Sequence, residues 1–358
     1  MVLTVINKQS DLEEAFLEWR KERILAIDLE AENNLHHYGT KLSIIQISTR
    51  SGDWIIDVLA LKDLTPIKKL FEDSYIVKVF HDVSFDFRIL NQYQKITPKN
   101  IFDTSIAAQL LGYKQVGLGS LLEKFFGVVK EKKFQKADWT KRPLNREMLE
   151  YAAGDTKYLI KLKEVLEKEL LEKNRLDWAK EEFNYLEKHD YREEPLSFTD
   201  IKGTGKLNPT QLSVLKEIYD VREKLAKSLD KPVYFVINNK LLLDLAQNPP
   251  KSEHTWKALK GVHPAVKSSS KLFQKAVNKG LKSKVTDFNK KGKFKRMTKA
   301  QQRRFDELDE VRKKISKQLG IEGHWLLDRY EMIDLAVGGS ITSLKRWQQK
   351  LLLEEFNA

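Results

Sequence analysis

The stretch Ile24 to Glu30, ILAIDLE, constrains this chain more than any other. It is one apolar run that ends in two carboxylates, Asp28 and Glu30. Side chains two apart on a strand point to the same face. A buried strand therefore lifts both acids side by side at its exit. Carboxylates held that close repel unless a cation lies between them, and hard cations such as Mg²⁺ bind one or two carboxylates together with substrate phosphates. A strand that simply ends in solvated acids fits the same letters, so the rest of the chain has to decide.

Around that run the periodicity predicts an α/β domain. Ser10 and Glu13 are spaced as a capping box that opens a helix through about Lys21. Leu42 to Ile47 and Trp54 to Val58 read as strands joined at Ser51-Gly52, which with ILAIDLE suggests a three-strand antiparallel meander. A helix near Leu61 to Phe71 then leads to a buried strand, Ile76 to Phe80. The following HDVSFDFRIL turns helical, with Asp82 and Asp86 one turn apart on a shared face. Open α/β sheets place ligands at the carboxyl ends of their strands. Asp82 is explained as an acid favoured by the helix dipole; Asp86 lies deeper, which points to a functional role. Asp103 reads as a helix N-cap.

Asn145 to Leu170 is expected to be one long helix carrying Tyr151 and Asp155 on one face. Gly154 inside it costs about 1 kcal/mol relative to alanine, which suggests a close approach there. The pair could equally be a surface hydrogen bond. Before this helix, KEKKFQKADWTKRPLN is an irregular basic loop ending at Arg142-Pro143, either a phosphate contact or a solvated connection.

At 358 residues, two or three domains are expected. The chain has no cysteine, which excludes disulfides, cysteine–zinc sites and a thiol nucleophile. There is no apolar run of about 18 residues and no secretion signal at the N-terminus, so a cytoplasmic protein with no membrane role is expected. The net charge of +13 is one-sided: residues 1–190 carry 30 Lys+Arg against 31 Asp+Glu, residues 191–358 carry 34 against 20. Concentrated positive charge is the footprint of a polyanion, most often nucleic acid, although lysine used for solubility gives the same count.

The C-terminal half repeats at an offset of 90 residues, setting Asp220-Val221-Arg222 on Glu310-Val311-Arg312 and Leu243-Asp244-Leu245-Ala246 on Ile333-Asp334-Leu335-Ala336. A duplicated small helical domain follows. The expected division is an enzyme-like domain over 1–191, a linker over 192–206, helical domains over 207–281 and 297–358, and a basic linker over 282–296.

In order, D-x-E, H-x-x-x-x-D and Y-x-x-x-D resemble the three motifs of the DEDD superfamily of 3′–5′ exonucleases, in the branch with tyrosine in the third motif. The phrases AIDLEAE, LSIIQIS, IFDTSIAAQLLGY, GLGSLLEKFFGV, DWTKRPL and EMLEYAAGDTKYL are similar to those of the ribonuclease D family over about residues 3–170. Each C-terminal repeat resembles an HRDC domain.

The resemblance implies a ribonuclease H-like (DnaQ-like) α/β domain with a mixed sheet, followed by two all-α HRDC-like domains. It implies metal ligands at Asp28, Glu30, Asp86 and Asp155 for two Mg²⁺ or Mn²⁺ ions, and a water-orienting Tyr151. His81, Gln46 and Arg142 are candidate substrate contacts. The implied activity is a 3′–5′ exoribonuclease, working as a monomer, that trims transfer RNA precursors and other small structured RNAs and releases nucleoside 5′-monophosphates. A DNA exonuclease of repair type uses the same acids, and a non-catalytic nucleic-acid scaffold is the remaining alternative.

Overall fold

The runs at Leu25–Ile27, Ile44–Ile45 and Ile55–Ile56 are wholly buried, and each forms the centre of a strand. The computed structural model describes residues 3–191, 196–285 and 297–356. Six strands make one mixed sheet: β1 (Leu3–Ile6), β2 (Ile24–Asn33), β3 (Thr40–Ser48), β4 (Asp53–Asp57), β5 (Val77–Phe80) and β6 (Ile101–Asp103), in the order β1-β4-β3-β2-β5-β6. β3 and β4 pair antiparallel across the Ser51-Gly52 turn. β1 with β4, β2 with β5, and β5 with β6 pair parallel. Parallel neighbours need crossovers, supplied here by helices such as Gln9–Trp19 and Thr65–Phe71. With Ile24 opposite Val77, β2 and β5 run in the same direction, so the acids that β2 carries beyond this pairing and those that follow β5 lie towards the same end of the sheet.

Several local expectations give way. Ser10 caps nothing: the helix starts at Gln9 after Lys8, and the Ser10 hydroxyl donates to Asp11 instead. The short edge strands β1 and β6 lack the length that makes a strand legible. Asp82 shares no helix face with Asp86. It holds φ +62°, the left-handed region in which aspartate is one of the few tolerated residues, and the helix begins only at Ser84. Asp86 thus lies in the helix's first turn. The expected long helix is two, Arg146–Thr156 and Leu159–Glu172, broken at Lys157-Tyr158.

The duplication is visible element by element. Helices Pro209–Leu229, Val233–Val236 and Asn239–Gln247 recur at the same offset of 90 as Lys299–Leu319, Gly323–Leu326 and Arg329–Val337. Both long helices open with capping boxes, Asn208 with Gln211 and Thr298 with Gln301. Arg222 donates to the Ile237 carbonyl as Arg312 does to that of Leu327. The copies then diverge. In the first, helix Ser270–Leu281 lies so close to Pro209–Leu229 that a Cβ on Gly280 would stand 2.5 Å from the Val214 Cα. The second has Arg304 where the first has Val214, and it continues instead as helix Arg346–Phe356.

Two compact units result. One comprises residues 1–30, 42–192 and 295–358; the other comprises 31–41 and 193–294. The second helical copy therefore packs with the sheet domain rather than standing as a domain of its own. Trp347 stacks on Trp178 at 4.9 Å and donates its indole N–H to Glu182 at 3.0 Å. Arg175 donates to carbonyls at the ends of two helices, Leu110 and Leu319. In the other unit, His37 and the Tyr38 N–H both bind Asp230. The expected linker at 192–206 is in part structured, with short turns at Phe198–Asp200 and Thr204–Lys206 and a buried Ile201. Residues 192–195 and 286–296, where most of the basic linker falls, lie outside the described residues.

Candidate metal centre and its relatives

β2 sets Asp28 and Glu30 two apart on one face of the sheet. Asp155, in helix Arg146–Thr156, comes to meet them: one carboxylate oxygen from each of the three lies within 4.8 Å of the others. Asp86 is buried beside the group but is not one of those three. Burial, then the charges of Asp28 and Glu30, push its carboxyl well above the usual range. Burial likewise raises Asp28 and Glu30, Glu30 the more because Asp28 faces it. Raised acids crowded together mean that the site holds less positive charge than its carboxylates need. All its donors are carboxylate oxygens, the set preferred by Mg²⁺ and Mn²⁺. The residues fit such ions.

The turn that presents Asp86 is held by Asp103, which caps helix Thr104–Leu111 as expected. Its buried carboxylate accepts the N–H groups of Ser105 and Ile106 and, across the turn, of Asp82 and Val83. The left-handed Asp82 is thereby pinned two residues before the helix begins. Tyr151 lies on the same helix as Asp155, its ring edge-on to Phe134 at 5.7 Å. Burial and the nearby Glu30 and Asp28 push its hydroxyl up to about 12, so it stays protonated and can donate at neutral pH. Gly154 meets no close approach. A Cβ there would find open space, and the residue lines a cavity of about 410 Å³ with Lys130, Phe134 and Tyr151.

The three candidate substrate contacts are placed differently. Gln46 is fully buried and its amide N–H₂ faces Asp28 at 3.5 Å, so it borders the acid. His81 binds Thr104 at 2.9 Å, and burial lowers its imidazole to about 4, which leaves it neutral at pH 7. Arg142 has all five donors engaged: both oxygens of Asp57 at 2.6 Å, and the carbonyls of Ser43, Trp139 and Lys141. It is a structural clamp on the loop before helix Arg146–Thr156.

Lys130 is the group that sequence reasoning passed over. Its ammonium pairs with Asp155 and feels the charges of Asp28 and Glu30. It also lies 5.1 Å from the centre of the Tyr151 ring. As one of several lysines in the loop over residues 127–145, it carried no signal that set it apart.

A ribonuclease H-like mixed sheet with converging carboxylates at one end defines a nuclease of the 3′–5′ exonuclease class. The profile of that family, described as "3'-5' exonuclease", matches residues 3–171, and an HRDC profile matches 211–270. A ribonuclease D of Pseudomonas paraeruginosa is 29% identical over 264 residues, 72% of this chain and 69% of its own. A variant of the RRP6 catalytic core from Trypanosoma brucei superposes with a TM-score of 0.69 at 30% identity, over 79% of this chain and 81% of that one. Escherichia coli RNase D shares the fold over 100% of this chain and 98% of its own, with a TM-score of 0.76 at 24% identity. The chain belongs to the ribonuclease D and RRP6 family of 3′–5′ exoribonucleases, whose exonuclease domains use divalent metal ions.

Proposed function

We propose that this exoribonuclease trims the 3′ ends of transfer RNA precursors and other small structured RNAs in the cytoplasm. Asp28, Glu30, Asp86 and Asp155 would hold two Mg²⁺ or Mn²⁺ ions. Such a pair activates a water and stabilises the leaving oxygen of an in-line displacement. The chain's own residues do the rest: the four acids fix where the ions lie, and the protonated Tyr151 hydroxyl positions the attacking water. The convergence of Asp28, Glu30 and Asp155 is the observation that carries this reading. The surplus positive charge of residues 191–358 supports a grip on the body of a structured RNA.

The test is a time course on 5′-labelled transfer RNA precursor, a matched single strand and matched DNA, with Mg²⁺, Mn²⁺ or EDTA. Stepwise shortening of RNA that halts in EDTA, with DNA cut far more slowly, is expected. Precursor cut no better than an unrelated structured RNA would overturn the substrate assignment. Tyr151→Phe should lower kcat by about 10–100-fold, the loss of one hydrogen bond to a charged partner. KM and Mn²⁺ affinity should not move. A change in Mn²⁺ affinity would make Tyr151 part of the metal site instead.

A further inference from the structure

The metal centre already contains a cation. Lys130 reaches in from residues 127–145, the connection between helices Leu118–Phe126 and Arg146–Thr156. Its side chain is only 18% exposed and ends in an ion pair with Asp155, itself 7% exposed. Its charge also acts on Asp28 and Glu30. The three acids that converge for an ion are thus the three on which the Lys130 charge acts, Asp155 by direct pairing.

We propose that Lys130 is the resident counter-cation of this centre, which a divalent ion must displace. The inference rests on the metal-site reading above. An ammonium and a metal ion cannot share the Asp155 carboxylate oxygen without bringing two cations into repulsive contact. Charge balance points the same way. Two divalent ions match the four carboxylates and leave no net negative charge to retain an ammonium. Lys130 also has somewhere to go, because it lines the open cavity of about 410 Å³ beside Gly154 and Tyr151. Metal occupancy and the placement of the lysine-bearing loop are therefore linked, and the ammonium sets how much free metal is needed to load the site.

Linked equilibria give two independent readouts. Isothermal titration of the intact protein with Mn²⁺ should show Lys130→Met binding at least fivefold tighter than wild type. Lys130→Arg, which keeps the charge, should stay within twofold of wild type. In wild type alone, acetylation of the Lys130 amine, read by peptide mass spectrometry, should be slow in EDTA and several-fold faster with saturating Mn²⁺, with distant lysines unchanged as controls. A folded Lys130→Met with unchanged or weaker Mn²⁺ affinity overturns the proposal, as does labelling of Lys130 that ignores Mn²⁺. Wild type that binds no Mn²⁺ at all overturns the metal-site reading and this inference with it. The labelling arm needs no variant to fold.

Discussion

Asp28→Asn is expected to abolish RNA hydrolysis, lowering kcat by about a thousandfold or more, while making the protein more stable in EDTA. The first effect follows from removing a charged donor to an ion whose stabilisation of the transition state is worth several kcal/mol. The second follows from what the metal-free site costs. Asp28 is buried against Glu30, and burial lifts its carboxyl from 3.8 to about 6. A carboxyl whose pKa is higher folded than unfolded contributes stability at low pH and loses it as pH rises through the folded value. At pH 7 the ionised group opposes folding. A neutral amide of the same shape removes that opposition, worth about 1–3 kcal/mol for an ill-paired buried group. In EDTA the melting temperatures of variant and wild type should nearly coincide near pH 4 and separate up to about pH 6, with the variant higher. In saturating Mn²⁺ the order should reverse, because only wild type gains the full binding energy of the ions. Wild-type turnover by the variant would remove Asp28 from the metal centre. A less stable variant in EDTA would show that its carboxylate is well paired.

The opposed effects describe a site built for charge it does not itself supply. Lys130 offsets one carboxylate and leaves the others to repel. Strain of this kind is what a nuclease needs, since it makes ion binding favourable and places the ions where the phosphodiester will lie. In the proposed site, stability and activity pull against each other at the same four side chains.

Much of this was legible from residue order. The run ILAIDLE had to be a buried strand, and a period of two then put Asp28 and Glu30 on one face. Tyr151 and Asp155, one helical turn apart, belonged together for a similar reason. Long-range pairing was less accessible. That β2 and β5 run parallel and exit together is a property of the sheet, and it delivers Asp86 to the centre although Asp82 stands outside the helix. Arg142 looked like a phosphate contact because nothing in its own segment reveals that Asp57, far away in sequence, accepts from its Nε and Nη2 with both carboxylate oxygens. Lys130 was hidden for the opposite reason: several neighbours share its chemistry, and only the fold selects one.

The offset of 90 was equally plain, yet it carries no information about where each copy packs. Similar helices imply similar cores, but where a copy docks depends on its outer residues. Trp347 decides the matter for the second copy. It is 4% exposed, stacks on Trp178, and supplies a hydrogen bond to Glu182, which also pairs with Lys345 at 3.2 Å. Nearby, a Cβ on Gly112 would meet the Gly320 carbonyl oxygen, so this contact admits no side chain on Gly112.

Trp347→Ala is accordingly expected to cost about 3–5 kcal/mol, the range for truncating a buried aromatic, and to lower the melting temperature of the nuclease unit itself. Trp347→Phe should recover part of the loss by keeping the stack, though it leaves a buried Glu182 oxygen without its donor. Proteolysis of the alanine variant should begin within 297–356 and then proceed into the sheet domain, because helix Leu176–Lys188 loses its cover. Loss of that copy with an unchanged melting transition for the sheet domain would restore the picture of two independent domains. If instead both fail together, truncating this protein before residue 297 removes part of the nuclease's own core, and any activity lost with it says nothing about RNA binding by the second copy.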